Sequence, residues 1–77
     1  MDKVRYQEFK EFLLIEIQKN FPHIELFIVS NGDHVSDLIM EARNDNKRIK
    51  FAPYELWKTG DYEKNVFQLL NDINNIL

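Results

Sequence analysis

The side chains of this 77-residue chain that could do chemistry are few: His23 and His34, the aspartates Asp33, Asp37 and Asp45, and the cations Arg43, Lys47, Arg48 and Lys50. Histidine suits proton transfer and zinc ligation near neutral pH, but both uses need partners at fixed spacing. His23 follows a proline and His34 follows a turn, with no HExxH pattern and no series of further ligands, so both read as surface residues. The chain has no cysteine, which removes a thiolate nucleophile, a thiolate-held metal and any disulfide. Gly32 and Gly60 are its only glycines, too few for a phosphate-cradling loop, and there is no Gly-x-Ser-x-Gly elbow. Asp45, within Asn44-Asp45-Asn46, looks like the start of a calcium loop, yet the glycine and distal glutamate that complete one are missing. Asp33, His34 and Asp37 form a small acidic group that a turn position and an outward strand position already explain. No catalytic, cofactor-binding or metal-ligating residue is expected, and the chain reads as a non-enzyme.

The elements that position these residues follow from periodicity. Tyr6, Phe9, Leu13 and Ile17 recur at intervals of three or four and predict a helix over residues 3–20, capped by Asp2 and ended by Pro22. Phe12, Leu14 and Phe21 widen its stripe, while Ile15 is a stray apolar residue on the polar side. Two β-rich runs, 23–30 and 34–43, flank Asn31-Gly32 and predict a hairpin. A two-residue turn would leave neither face cleanly apolar. A three-residue loop of Ser30-Asn31-Gly32, with Gly32 left-handed, sets Ile24, Leu26 and Ile28 on one face with Ser36, Leu38, Met40 and Ala42. The polar turn at 44–46 leads to a third strand over 47–52, with Ile49 and Phe51 inward and its cations guarding an edge. Pro53 opens and Gly60 closes a short helical turn, Asp61 caps the last helix, and Tyr62, Val66, Leu69, Leu70, Ile73 and Leu77 make that helix's stripe. The expected fold is α+β: one domain over residues 1–77 in the order α-β-β-β-α, a three-stranded antiparallel meander with its helices on one face.

Composition bounds the class of protein. A chain of this length forms one domain and buries only ~60% of the surface its unfolded form exposes. Six phenylalanines, three tyrosines and one tryptophan help to supply a core. The longest apolar runs, 12–15 and 26–29, fall far short of the ~20 residues that span a bilayer, and no secretory signal pattern is visible. A cytoplasmic protein without membrane contact is expected. The net charge of −3 is unevenly spread. Residues 21–42 carry Glu25, Asp33, Asp37 and Glu41 with no base, whereas 43–53 carry Arg43, Lys47, Arg48 and Lys50 against Asp45 alone.

Under the three-residue loop, the outer face of the sheet carries Glu25, Phe27, Val29, Val35, Asp37, Ile39 and Glu41, joined by Arg48 and Lys50. An antiparallel sheet with one face in water should read polar there, so the apolar members mark a protein-binding surface. The alternative is that Trp57, or the chain around it, folds over this face and completes a second small core. Glu25, Asp33, Asp37 and Glu41 would form an acidic strip suited to a basic groove. Arg43, Lys47, Arg48 and Lys50 could instead grip nucleic acid, but the sequence pI of about 5.3 and the lack of an interleaved aromatic argue against it. Trp57 is expected inside, bridging the last helix and the sheet.

The order of helix, Asn-Gly hairpin, third strand and Pro53-Tyr54-x-x-Trp57 segment resembles that of small phage-encoded anti-CRISPR inhibitor proteins. The run 49–61, with its aromatic residues, glycine and closing helix, resembles uncharacterised small proteins of low-GC bacteria. An abundance of Asn, Ile and Lys fits the AT-rich coding of either source. The resemblance implies an inhibitor of a bacterial defence nuclease complex, a nucleic-acid-processing partner blocked by steric occlusion, and carries over no functional residue. A nucleic-acid-binding regulator using residues 43–50 and a self-associating homodimeric module are the alternatives.

Overall fold

The computed structural model describes residues 4–76. Helix α1 spans Tyr6–Asn20 and buries Tyr6, Phe9, Leu13 and Ile17, the stripe its spacing predicts. Arg5 stands at its N-cap without a side-chain cap, so the helix begins later than expected. The Asp2 cap and the Leu77 end of the last stripe lie outside the described residues. Strands β1 (Glu25–Ser30), β2 (Ile39–Asn44) and β3 (Lys47–Phe51) form one antiparallel sheet in the order β1-β2-β3. Helix α2 (Pro53–Lys58) starts on its proline, and Gly60 beyond it takes the left-handed conformation at φ +80°, which a Cβ would strain. Asp61 precedes α3 (Tyr62–Ile76) and its carbonyl accepts the Asn65 N–H at 3.0 Å. This is the expected α+β order, α-β-β-β-α.

The hairpin differs from expectation. Residues 31–38 form a longer connection holding a single 3₁₀ turn over Val35–Asp37, and β2 starts only at Ile39. A three-residue loop would set Leu26 opposite Ser36 and Ile28 opposite His34. The observed register sets them opposite Ala42 and Met40, six residues further along β2. Apolar cross-strand pairs on the core face outweigh the local turn preference of Asn31-Gly32. Asp37 organises the connection instead, its carboxylate accepting the His34 N–H at 3.2 Å. Gly32 does not take a positive φ; it is needed because a Cβ there would stand 2.5 Å from the Asp37 carboxylate oxygen. Six is an even number, so the displacement leaves each residue on its predicted face where it is still in a strand. A bulge between Ile28 and Ser30 then lets Val29 drop out of the ladder.

The core lies between the sheet and the two long helices. Leu13, Ile17, Ala42 and Ile73 are fully buried, with Ile24, Leu38, Met40, Phe51, Val66 and Leu69 around them. Ile28 faces the same way but is 62% exposed, because β1 is the edge strand. Trp57 packs half-buried against the core, and its ring stacks with Tyr6 of α1 and Tyr54 of α2. Its ring centroid is 5.7 Å from that of Tyr6 and 5.5 Å from that of Tyr54, and its indole N–H donates to the Val4 carbonyl at 2.6 Å. Within this aromatic cluster the Tyr6 hydroxyl is buried without a hydrogen-bond partner among the described residues.

Two stability changes follow. Gly32→Ala should displace the Asp37 side chain and lower the free energy of unfolding in urea by about 1 kcal/mol. Tyr6→Phe removes a buried hydroxyl that has no partner while keeping the ring, and should raise it by up to about 1 kcal/mol.

Candidate interaction surfaces

Strand alternation sends Glu25 and Phe27 of β1, Ile39, Glu41 and Arg43 of β2, and Arg48 and Lys50 of β3 to the face away from the helices. Arg43 organises this face. Its Nε donates to Glu41 Oε1, the only ion pair among the described residues. Its guanidinium also sits 4.1 Å from the centroid of the Phe27 ring, so one planar cation satisfies a carboxylate and covers an aromatic. Glu41 is only 2% exposed although, among the described residues, no second layer of backbone covers this face. Its pKa is held below the usual 4.5, first by the hydrogen bond from Arg43 and then by the charges of Arg43, Arg48 and Lys50, with burial opposing.

The residues singled out in the sequence are only partly brought together. Glu25, Phe27, Ile39 and Glu41 share the outer face, and Val29 borders it at the bulge. Val35 and Asp37 do not belong to it. Both lie in the 3₁₀ turn, where Val35 lines a notch on the helix side with Tyr6, Lys10 and Ile28, and Asp37 holds the His34 N–H. The acidic strip therefore does not assemble: Asp33 and Asp37 sit in the connection, and Glu41 is neutralised by Arg43. Of the basic set, Arg43, Arg48 and Lys50 converge on the outer face, whereas Lys47 pairs with Asn44 at the turn and alternates to the other side. Phe27, expected on this face with Arg48 and Lys50, lies directly under the guanidinium of Arg43. Neither Trp57 nor the chain around it roofs the face.

A second surface was not singled out in the sequence. On the helical layer, Phe12 is 50%, Ile15 60% and Phe67 73% exposed. Phe12 and Phe67 flank an apolar groove of about 240 Å³ between α1 and α3, floored by Val66 and Leu70. The sequence pattern adds Phe12 to the core stripe and leaves Ile15 as a stray, yet an interval of three puts both on one ridge of α1, turned away from Leu13 and Ile17. That spacing was the available signal. Phe67 stands beside the buried Val66 and falls off the Val66-Leu69-Ile73 stripe in the same way.

Among the described residues no group of three His, Cys, Asp or Glu is placed to hold a metal ion, and no helix is long and apolar enough to cross a membrane. His23 and His34 are exposed. His23 lines a polar cleft of about 350 Å³ with Glu25, Phe27 and Arg43, open beside the outer face. No family model, curated protein or solved structure matches this chain.

The depressed pKa of Glu41 makes a signed prediction. Its carboxylate contributes stability that is present above the usual 4.5 and is lost as pH falls through its lower folded-state value. Glu41→Gln should therefore be less stable than the parent at pH 7, and the gap between their urea midpoints should close in acid. A gap unchanged down to pH 2 would show that charge plays no part.

Proposed function

We propose that the protein is a non-enzymatic protein-binding module that docks through the outer face of its sheet. The observation that supports this reading is the state of that face. Among the described residues no element packs over it, Val29 and Ile39 are 43% and 37% exposed, and Arg43 is already fixed on Phe27 and Glu41. A guanidinium held in place over an aromatic ring loses little freedom on binding, and arginine and aromatic side chains are frequent anchors of interfaces. Arg48 and Lys50 make no ion pair among the described residues, so the partner that fits is apolar at its centre and acidic at its rim. Docking of this kind acts by occlusion, without chemistry. The inhibitor of a bacterial defence complex implied by the resemblance is one form of it, now directed at an acidic-rimmed site rather than a basic groove.

Phe27 among Arg43, Arg48 and Lys50 also favours a second reading, single-stranded nucleic acid, in which the ring stacks a base and the cations hold phosphates. The two separate experimentally. With a photo-crosslinker at Ile39, a partner protein should be captured from the source organism's lysate, and Val29→Glu should abolish capture while leaving the circular dichroism spectrum unchanged. A low-salt mobility shift with single-stranded DNA or RNA that is lost in Arg48→Glu and Lys50→Glu would overturn the protein-binding reading in favour of nucleic acid.

A further inference from the structure

The exposed ridge of α1 is self-complementary. Glu8, Phe12, Ile15 and Lys19 follow one another at intervals of four, three and four, so all lie along one line of the helix surface and the order of spacings is the same read from either end. All four are exposed, and neither Glu8 nor Lys19 makes an ion pair among the described residues. Laid antiparallel against a second copy, the ridge brings Phe12 onto the partner helix's isoleucine and Glu8 onto its lysine, and the two-fold axis repeats both contacts. We infer that the protein forms a symmetric homodimer through the helical layer, with α1 crossing α1 of a second copy and the isoleucine of each entering the groove between Phe12 and Phe67 of the other.

Area and charge agree with a second copy as the occupant. Phe12, Ile15 and Phe67 together expose roughly 350 Å², on the scale where a whole aromatic side chain presents ~150–250 Å². Two copies with their charged rims reach the ~1,000 Å² at which specific association begins. That is the low end, so the dimer is a reversible one with Kd on the order of 1–100 μM. The opposite charges at the two ends of the ridge select the antiparallel orientation, since a parallel one would set glutamate against glutamate. The contact lies on the layer opposite the proposed docking face, so the two readings stand or fall separately. In the dimer both sheet faces point outward, giving two docking sites that can engage a repeated partner together.

Sedimentation equilibrium from about 1 to about 500 μM tests this, because that span brackets the expected Kd. The parent should pass from monomer to dimer. Ile15→Lys should remain monomeric, and Glu8→Lys or Lys19→Glu alone should raise Kd by about tenfold or more. The double variant Glu8→Lys, Lys19→Glu should restore the parent's Kd, an outcome that altered folding cannot produce. A monomer at every concentration, a dimer indifferent to Ile15→Lys, a double variant that fails to recover, or a dimer lost in Val29→Lys on the sheet edge would each overturn the proposal.

Discussion

Two helices of 15 residues each cover one face of a three-stranded sheet, and among the described residues no further element covers the other. That limit shapes everything else in the molecule. On the covered face apolar side chains reach complete burial, as Leu13, Ile17 and Ile73 do. Apolar pairs across β1 and β2 fix the register there, because a slip would place serine or histidine opposite leucine or isoleucine. The short helix α2 does not extend the second layer. It closes the N-terminal end of α1 through the Tyr6, Tyr54 and Trp57 rings, with an indole hydrogen bond to Val4.

The uncovered face is handled by side chains alone. Arg43 is suited to this because its guanidinium is at once a flat surface for a ring and a donor to a carboxylate. A lysine in its place would hold Glu41 as a point charge and leave Phe27 uncovered. The cations across the sheet then hold Glu41 in its charged form, although the cover above it is only one side chain thick. Charge that the sequence distributes as an acidic stretch followed by a basic one is interleaved by strand pairing, Glu41 opposite Lys50 and Glu25 opposite Arg43. The face that results is neither an acidic strip nor a basic one.

This interleaving marks where the sequence stops being legible. Helix stripes are local, and Tyr6-Phe9-Leu13-Ile17 and Val66-Leu69-Ile73 declare themselves from spacing. Strand faces are nearly as plain, because alternation assigns them and any even displacement preserves them. Register is a long-range property. Asn31-Gly32 is a strong local turn signal, but Asp37 offered the connection a different hydrogen bond and Ala42 and Met40 offered β1 better neighbours. Val35 and Asp37 were thereby drawn out of the strand and off the candidate surface. The exposed ridge of α1 was hidden for a different reason: Phe12 lies next to Leu13 in sequence, and a wide stripe and two separate stripes look alike until the sheet shows how much width it can cover.

The single sheet therefore decides which apolar residues are core and which are surface. Each long helix turns one line of side chains to the three-stranded floor and buries it, leaving Phe12, Ile15 and Phe67 on the side of the helical layer away from the sheet. There they remain in water unless another surface meets them. On the sheet side Arg43 covers the Phe27 ring but leaves Val29 and Ile39 exposed, whereas on the α1 ridge the charges of Glu8 and Lys19 stand at the ends and leave Phe12 and Ile15 bare between them. The one apolar surface is partly covered within the chain by a single cation, and the other by none of its own charges.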